Sequence, residues 1–251
     1  MAFQDHFSRQ SAEYSKFRPH YPDSLFKYLA GVSPSHGVAW DCATGNGQAA
    51  VALASFFDHV IATDVSEKQI HNAEQNPRVE YRVGTAEKCR LPTRLIDLIT
   101  VAQALHWFDL DRFYPEAERV LKPGGVLAVW CYNLLEIEPE IDAVVNRFYN
   151  EVVGEYWAFE RRIVEERYQT IAFPFAEMEP PSFAMRARWS MEHLIGYLQT
   201  WSASQTFIVA NGSDPIDLIR ADLSEAWREP NRVRPVNWPL SLRVGRTAIK
   251  Q

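Results

Sequence analysis

Cysteine is scarce in this sequence, and its placement argues against disulfide bonds and zinc. The three cysteines are Cys42, Cys89 and Cys131, and none of them belongs to a CxxC pair. An odd number of widely spaced cysteines makes neither a disulfide framework nor a tetrahedral zinc site. We therefore expect no metal site, and we expect each cysteine to be a small apolar side chain.

Long apolar runs and an excess of positive charge are also absent. No apolar stretch reaches the roughly 18 residues that a membrane-spanning helix needs, and the opening MAFQDHFSRQ lacks the apolar run of a signal peptide. The net charge is −6 at pH 7, whereas surfaces that bind nucleic acid are basic. These absences predict a cytoplasmic protein with no membrane insertion and no nucleic-acid partner.

The first half of the chain alternates between strand-like and helix-like segments. Strands are predicted over 38–43, 59–64, 79–86, 95–105 and 126–132, and helices over 47–57, 66–76 and 110–121. Strands that alternate with helices indicate βαβ units and a mostly parallel sheet. Their apolar composition is typical of strands that are covered on both faces.

The second half is richer in helices. Helices are predicted over 137–156, 161–167, 190–204 and 213–227, strands over 183–190 and 235–248, and a loop over 173–182. The sequence thus predicts one α/β domain over 1–251, with a Rossmann-like, doubly wound, mostly parallel seven-stranded sheet and helices on both faces. Its predicted parts are an N-terminal lid (1–35), a cofactor-binding core (36–132), a mainly helical substrate cap (133–212), and a closing helix with the last strand (213–251).

A glycine-rich turn follows the first predicted strand. The strand ends near Asp41 and is followed by Gly45-x-Gly47. Glycine lets the chain turn sharply and lets a ligand approach bare backbone. Asp64 ends the second strand, about 20 residues past this turn, where a carboxylate can accept both hydroxyls of a ribose. This pair of features fits a dinucleotide and S-adenosylmethionine equally well.

Three further motifs occur in order along the chain. They are Gly84-Thr-Ala-Glu87 after the third strand, Gln103-Ala-Leu-His-Trp-Phe-Asp109 after the fourth, and Leu121-Lys-Pro-Gly-Gly125 before the fifth. Together with the glycine turn and Asp64, this series resembles the class I S-adenosylmethionine-dependent methyltransferases, especially the type 11 group that includes trans-aconitate methyltransferases. The resemblance covers about Phe7 to Tyr132. It implies S-adenosylmethionine as cofactor and methylation of a small molecule, with O-methylation of a small organic acid as one form.

The resemblance also assigns residues to the methionine part of the cofactor. It implies that Thr44, Gly45 and Gly47 lie against the methionine chain and that Asp41 stands near the amino group. Gln103 and the backbone after it would line the side of the sulfonium.

Other residues are implied for the ribose, the adenine and the closing segment. Asp64 would take the ribose hydroxyls, Val65 would pack on the adenine, and Ala86 with Glu87 would meet the adenine edge. Tyr14 and Arg18 would close over the cofactor, with Arg18 a candidate for its carboxylate.

His106 is the one histidine in a motif at a strand end, which makes it the candidate catalytic residue. Its near-neutral pKa suits a general base if the methyl acceptor carries a proton. A carboxylate acceptor needs no base, and His106 would then orient or neutralise it. We expect the substrate pocket to form from the N-terminal segment and residues 136–204, which are rich in aromatics and contain Arg161, Arg162, Arg186 and Arg188.

Three alternatives remain at the level of the sequence. An NAD-dependent oxidoreductase shares the glycine turn and Asp64, but it does not explain the three later motifs together. A non-catalytic S-adenosylmethionine-binding protein would keep the fold without turnover. A methyltransferase for a macromolecule would need a basic or extended groove, which the net charge does not favour.

Overall fold

The computed structural model describes residues 17–229 and 231–248. The chain forms two compact units. The core unit contains Tyr21–Tyr132, Arg162–Phe183 and 240–248. The helical unit contains 17–20, Asn133–Arg161 and Ala184–Pro239.

Eight strands form one mixed sheet. They are β1 (Val38–Cys42), β2 (His59–Asp64), β3 (Val79–Val83), β4 (Ile96–Ala102), β5 (Leu121–Tyr132), β6 (Ala176–Met178), β7 (Phe183–Trp189) and β8 (Arg234–Arg246). Their order is β3-β2-β1-β4-β5-β8-β6, with β7 paired to β8. The first five strands are parallel, and β8 runs antiparallel to β5 and β6. The predicted doubly wound fold with its seven strands is confirmed, and β6 adds an eighth strand.

The helices flank these strands in the chain. They are α1 (Asp23–Val32), α2 (Gln48–Leu53), α3 (Glu67–His71), α4 (Leu110–Val120), α5 (Pro139–Arg147), α6 (Arg161–Glu165), α7 (Met191–Gln199), α8 (Ser202–Asn211) and α9 (Arg220–Trp227). Within the described ranges, every helix is too short or too polar to cross a membrane.

Both faces of the sheet in the core unit are covered by apolar side chains. On β4, Leu98 packs in a cluster with residues of α1 and α2, whereas its neighbour Ile99 packs in a second cluster with residues of α4. Successive side chains of a strand point to opposite faces. A strand that is covered twice is therefore apolar at consecutive positions, as at Leu98 and Ile99 of β4.

The sequence prediction of one helix over 190–204 is wrong, because two helices occupy this region. Helix α7 ends at Gln199 and α8 begins at Ser202. At the break, the Thr200 hydroxyl donates to the Tyr197 carbonyl (2.6 Å) and the Ser204 hydroxyl donates to the Leu198 carbonyl (2.7 Å). Such side-chain bonds compete with the helical ladder.

Further segments also differ from the sequence prediction, among them 213–227, where a 3₁₀ turn (Pro215–Leu218) precedes α9. The predicted loop over 173–182 contains β6, which pairs through Ala176 with Arg246 of β8. The predicted helix over 137–156 is α5 followed by a π-turn (Phe148–Val152) and a 3₁₀ turn (Gly154–Tyr156). These differences depend on partners that are distant in the chain or on local backbone geometry, which periodicity does not encode.

Candidate functional site

The carboxyl ends of β1, β2 and β4 meet where the sheet changes its winding direction. From β1 the chain winds outward to β2 and β3, and from β4 it winds the other way to β5. In open α/β sheets, ligands bind at this switch point. Asp41, Asp64 and Gln103 lie in or directly after these three strand ends.

The glycine turn after β1 depends on left-handed backbone at alternate positions. Ala43, Gly45 and Gly47 have φ angles of 57°, 57° and 87°. A Cβ atom on Gly47 would lie 2.2 Å from the hydroxyl oxygen of Tyr81, whose hydroxyl donates to the Glu74 carbonyl at 2.6 Å. A side chain at position 47 would have to displace Tyr81 and adopt left-handed backbone, so the packing and the φ angle both favour glycine. Sequence reasoning missed Tyr81.

Asp64 ties the glycine turn to the end of β2. Its Oδ2 accepts a hydrogen bond from the Gly45 amide (2.9 Å), and its Oδ1 accepts one from the Ser66 amide (2.9 Å). Each carboxylate oxygen has two lone pairs, so the fixed carboxylate can still accept hydroxyl groups. The next side chain, Val65, is 39% exposed, which leaves an apolar surface beside the carboxylate.

Asp41 is a buried carboxyl group held by two threonines. It is 1% exposed, and its oxygens accept hydrogen bonds from the hydroxyls of Thr44 (2.5 Å) and Thr100 (2.7 Å). Burial raises the pKa of Asp41 to about 6; the threonine hydroxyls and the Ala50 amide oppose this rise, and the Asp64 charge adds to it. Sequence reasoning missed Thr100, although a hydroxyl in an apolar strand is a usable signal.

Gln103 uses its side chain to join two strand ends. Its Nε2 donates to the Tyr132 carbonyl and its Oε1 accepts from the Tyr132 amide, both at 2.9 Å. Its φ angle is 55°, so the chain turns sharply where β4 ends. The amide side chain is thus engaged in the fold, and a ligand would meet the backbone of this turn.

Ala86 and Glu87 lie in a short 3₁₀ turn after β3. Ala86 is buried, and Glu87 Oε1 accepts a hydrogen bond from the Asp109 amide at 3.2 Å. This bond connects the turn after β3 with the start of α4.

His106 lies in a 3₁₀ turn (Leu105–Trp107) shortly after β4. Its Nδ1 is 3.0 Å from the hydroxyl oxygen of Tyr168, and its ring centroid is 4.8 Å from that of Trp107. Tyr168 is completely buried. Sequence reasoning missed this contact because the two residues are 62 positions apart.

The core unit therefore brings together most of the predicted site residues. Hydrogen bonds link the glycine turn with Asp41, Thr44 and Asp64, and the motif after β4 lies beside them in the sheet order. Arg18 belongs to the helical unit, where its guanidinium carbon lies 5.0 Å above the Tyr197 ring. Tyr14 lies outside the described residues.

The helical unit contains an arginine surrounded by neutral groups. Arg161 Nε donates to the Tyr149 hydroxyl (2.9 Å), and Nη2 donates to Asn133 Oδ1 (2.6 Å). The guanidinium carbon lies 4.9 Å from the centroid of the Trp157 ring. Among the described residues, no carboxylate lies within ion-pair distance of Arg161. Its guanidinium is thus held in place by neutral groups in the part of the chain that the structure describes.

Comparison with known proteins agrees with this geometry. A family model described as a methyltransferase domain matches residues 40–129. A protein of Dictyostelium discoideum that is named as a methyltransferase is 37% identical over 245 residues, which are 95% of this chain and 93% of that protein.

Solved structures extend the comparison. A structure from Anaeromyxobacter dehalogenans, described as a type II methyltransferase, has a TM-score of 0.87 and 45% identity over 93% of this chain and 99% of that one. Phosphoethanolamine N-methyltransferase 2 of Haemonchus contortus, solved with S-adenosylhomocysteine, shares the fold at a TM-score of 0.51 and 17% identity, over 98% of this chain and 58% of that one. The chain therefore belongs to the class I S-adenosylmethionine-dependent methyltransferases, with S-adenosylmethionine as its cofactor.

Proposed function

We propose that this methyltransferase transfers the methyl group of S-adenosylmethionine to a carboxylate oxygen of a small organic acid. The observation that carries the proposal is Arg161, whose guanidinium is positioned by Tyr149, Asn133 and Trp157 with no carboxylate partner among the described residues. A guanidinium binds a carboxylate with two parallel hydrogen bonds, and aromatic neighbours suit the apolar body of a small acid.

We further propose how the predicted site residues hold the parts of S-adenosylmethionine. We assign the ribose hydroxyls to Asp64, the adenine face to Val65 and the ammonium group to Asp41. Thr44, Gly45 and Gly47 would lie against the methionine chain. The adenine edge and the sulfonium side would be lined by the remaining predicted residues, which are Ala86, Glu87 and the backbone at Gln103.

When bound, the cofactor supplies an activated methyl group on a positively charged sulfur. The task of the protein is then to align the acceptor oxygen with that methyl group and to keep water away. A carboxylate is already a nucleophile at neutral pH and needs no general base. Contacts to the body of the substrate are proposed to come from the predicted cap (133–212).

A panel of small molecules with radiolabelled S-adenosylmethionine tests the proposal. We expect label on mono-, di- or tricarboxylic acids and an ester bond that mild alkali cleaves. Label only on amines, phenols or macromolecules would contradict it.

The role of Arg161 has its own test. Arg161→Met should raise the KM for the acid at least tenfold, which corresponds to the loss of about one charge-assisted hydrogen bond. Arg220→Met is the matched control, because Arg220 lies on the surface of the same unit and is 3.9 Å from its ion-pair partners. An unchanged KM in Arg161→Met would remove Arg161 from the substrate site.

A further inference from the structure

Tyr168 has a fixed position in the core unit. Its φ angle is 60° and that of Arg167 is 56°, in a region that residues other than glycine rarely occupy. Its amide donates to the Ile163 carbonyl at 3.0 Å. Together with its complete burial, these constraints hold the phenol ring in one place.

Arg243 secures the same segment from the side of β8. Its Nη1 donates to the carbonyls of Tyr168 (2.8 Å) and Ile171 (2.7 Å). Its Nε and Nη2 bind the two carboxylate oxygens of Glu177 at 2.8 and 3.0 Å. Arg243 therefore fixes the backbone at Tyr168. The hydroxyl oxygen of Tyr168 then lies 3.0 Å from Nδ1 of His106.

The chemistry of the two groups favours one direction for this hydrogen bond. A phenol is a good donor, and the unprotonated nitrogen of neutral imidazole is a better acceptor than a phenol oxygen. The hydrogen bond at one ring nitrogen decides which tautomer the imidazole adopts. We propose that Tyr168 donates to Nδ1 of His106 and fixes the tautomer with hydrogen on Nε2, so that His106 is a hydrogen-bond donor to the substrate and not a general base.

This inference deepens the proposed function and rests on it for the identity of the substrate. A donor at Nε2 matches a carboxylate acceptor, which brings no proton that needs removal. In the transfer, the bond between the acceptor oxygen and the methyl carbon forms as the bond between that carbon and sulfur breaks. The electron pair of the broken bond stays on sulfur, which becomes neutral, and no proton is released. Tyr168 is then a positioning residue that acts through His106.

The tautomer can be measured without any substrate. In ¹⁵N-labelled protein above pH 8, long-range proton–nitrogen spectra distinguish the two neutral tautomers of histidine. The chain has seven histidines, so the His106 signals are assigned by their loss in His106→Gln. We expect hydrogen on Nε2 in the wild-type protein and a shift toward a mixture of tautomers in Tyr168→Phe.

Tyr114→Phe is the matched control for that spectrum. Tyr114 packs in the same apolar cluster, and its hydroxyl donates to the Ala172 carbonyl at 2.7 Å. Loss of the Tyr114 hydroxyl removes a comparable hydrogen bond without changing the hydrogen bond of His106. Hydrogen mainly on Nδ1 in the wild type, or an unchanged tautomer in Tyr168→Phe, would overturn the inference. This result does not depend on whether any acid is methylated.

Kinetics on a methylated carboxylic acid give the second readout. Loss of a donor that binds substrate and transition state alike raises KM and leaves kcat nearly unchanged, whereas loss of a base lowers kcat. We expect Tyr168→Phe to raise KM about fivefold to tenfold. We expect His106→Gln, which keeps an N–H donor, to retain more activity than His106→Leu. A fall in kcat with unchanged KM in Tyr168→Phe, or equal loss of activity in His106→Gln and His106→Leu, would contradict the role of His106 as a hydrogen-bond donor to the substrate.

Discussion

Asp41 is ionised at neutral pH in a place where burial disfavours its charge. Its pKa rises from 3.8 to about 6, and each pKa unit corresponds to about 1.36 kcal/mol. The folded protein therefore binds this proton more tightly than the unfolded chain does. The contribution of the protonated Asp41 carboxyl to the free energy of unfolding is fully present below pH 3.8. This contribution is lost as pH rises through about 6. The ionised carboxylate then lowers the free energy of unfolding by about 3 kcal/mol.

Replacing Asp41 with asparagine should recover that free energy. Asparagine has nearly the same shape, its oxygen can accept one threonine hydroxyl, and its amide can donate to the other hydroxyl oxygen. We expect Asp41→Asn without cofactor to be more stable than the wild type at pH 7.5 by up to about 3 kcal/mol. For a chain of this size that is roughly 6–12 °C in Tm. The gain should shrink as pH falls from 6.5 to 4.5.

Thermal unfolding at pH 4.5, 5.5, 6.5 and 7.5 measures this difference. The control is Asp97→Asn, because Asp97 is also buried but has the opposite pKa shift. Burial raises its pKa, but the Lys122 ammonium, the Ser35 hydroxyl and the Val38 amide together lower it below the usual value. Asp97→Asn should therefore lose stability at pH 7.5. An Asp41→Asn variant that is no more stable than the wild type at pH 7.5, or a gain that is independent of pH, would refute the reasoning.

Two other substitutions test the packing of the site. Gly47→Ala should lower the free energy of unfolding by about 1–3 kcal/mol and remove most of the cofactor affinity, because a side chain at φ 87° would meet Tyr81. Gly31→Ala is the control, because a Cβ atom there has nothing within 4 Å. This control should bind S-adenosylhomocysteine as the wild type does in a calorimetric titration. Gln103→Ala should lower the urea midpoint by an amount that corresponds to about 1–3 kcal/mol, because the buried polar groups of Tyr132 lose their partner. If either variant is as stable as the wild type, the packing or hydrogen bonds at that residue do not contribute to stability.

The sequence predicts those parts of the molecule that local chemistry determines. The apolar runs locate the strands, and the glycine turn and Asp64 lie at the ends of β1 and β2, where the sheet topology brings them together. The α/β class therefore follows from alternation alone, and the position of the candidate site follows from the strand ends.

The remaining features depend on contacts between distant residues. The sequence predicts that the fifth strand begins at 126, after the Leu121-Lys-Pro-Gly-Gly125 motif, but this motif lies within β5 as an irregularity, with Ile96 paired to Leu121 and Leu98 paired to Val126. The contact of Tyr168 with His106 depends on how the segment after α6 folds back onto the sheet. No periodicity records such a contact, because it is fixed by tertiary packing and by Arg243.

Cofactor binding at the carboxyl end of β2 is the property on which the proposed function depends most directly. Calorimetric titration with S-adenosylhomocysteine should give one site per chain in the wild type and an affinity at least tenfold weaker in Asp64→Asn. Asp58→Asn is the control, because Asp58 is exposed and lies just before the opposite end of the same strand. Melting curves of each variant would separate lost binding from lost folding. Equal affinity in the wild type and a folded Asp64→Asn, or no binding to the wild type, would contradict the account.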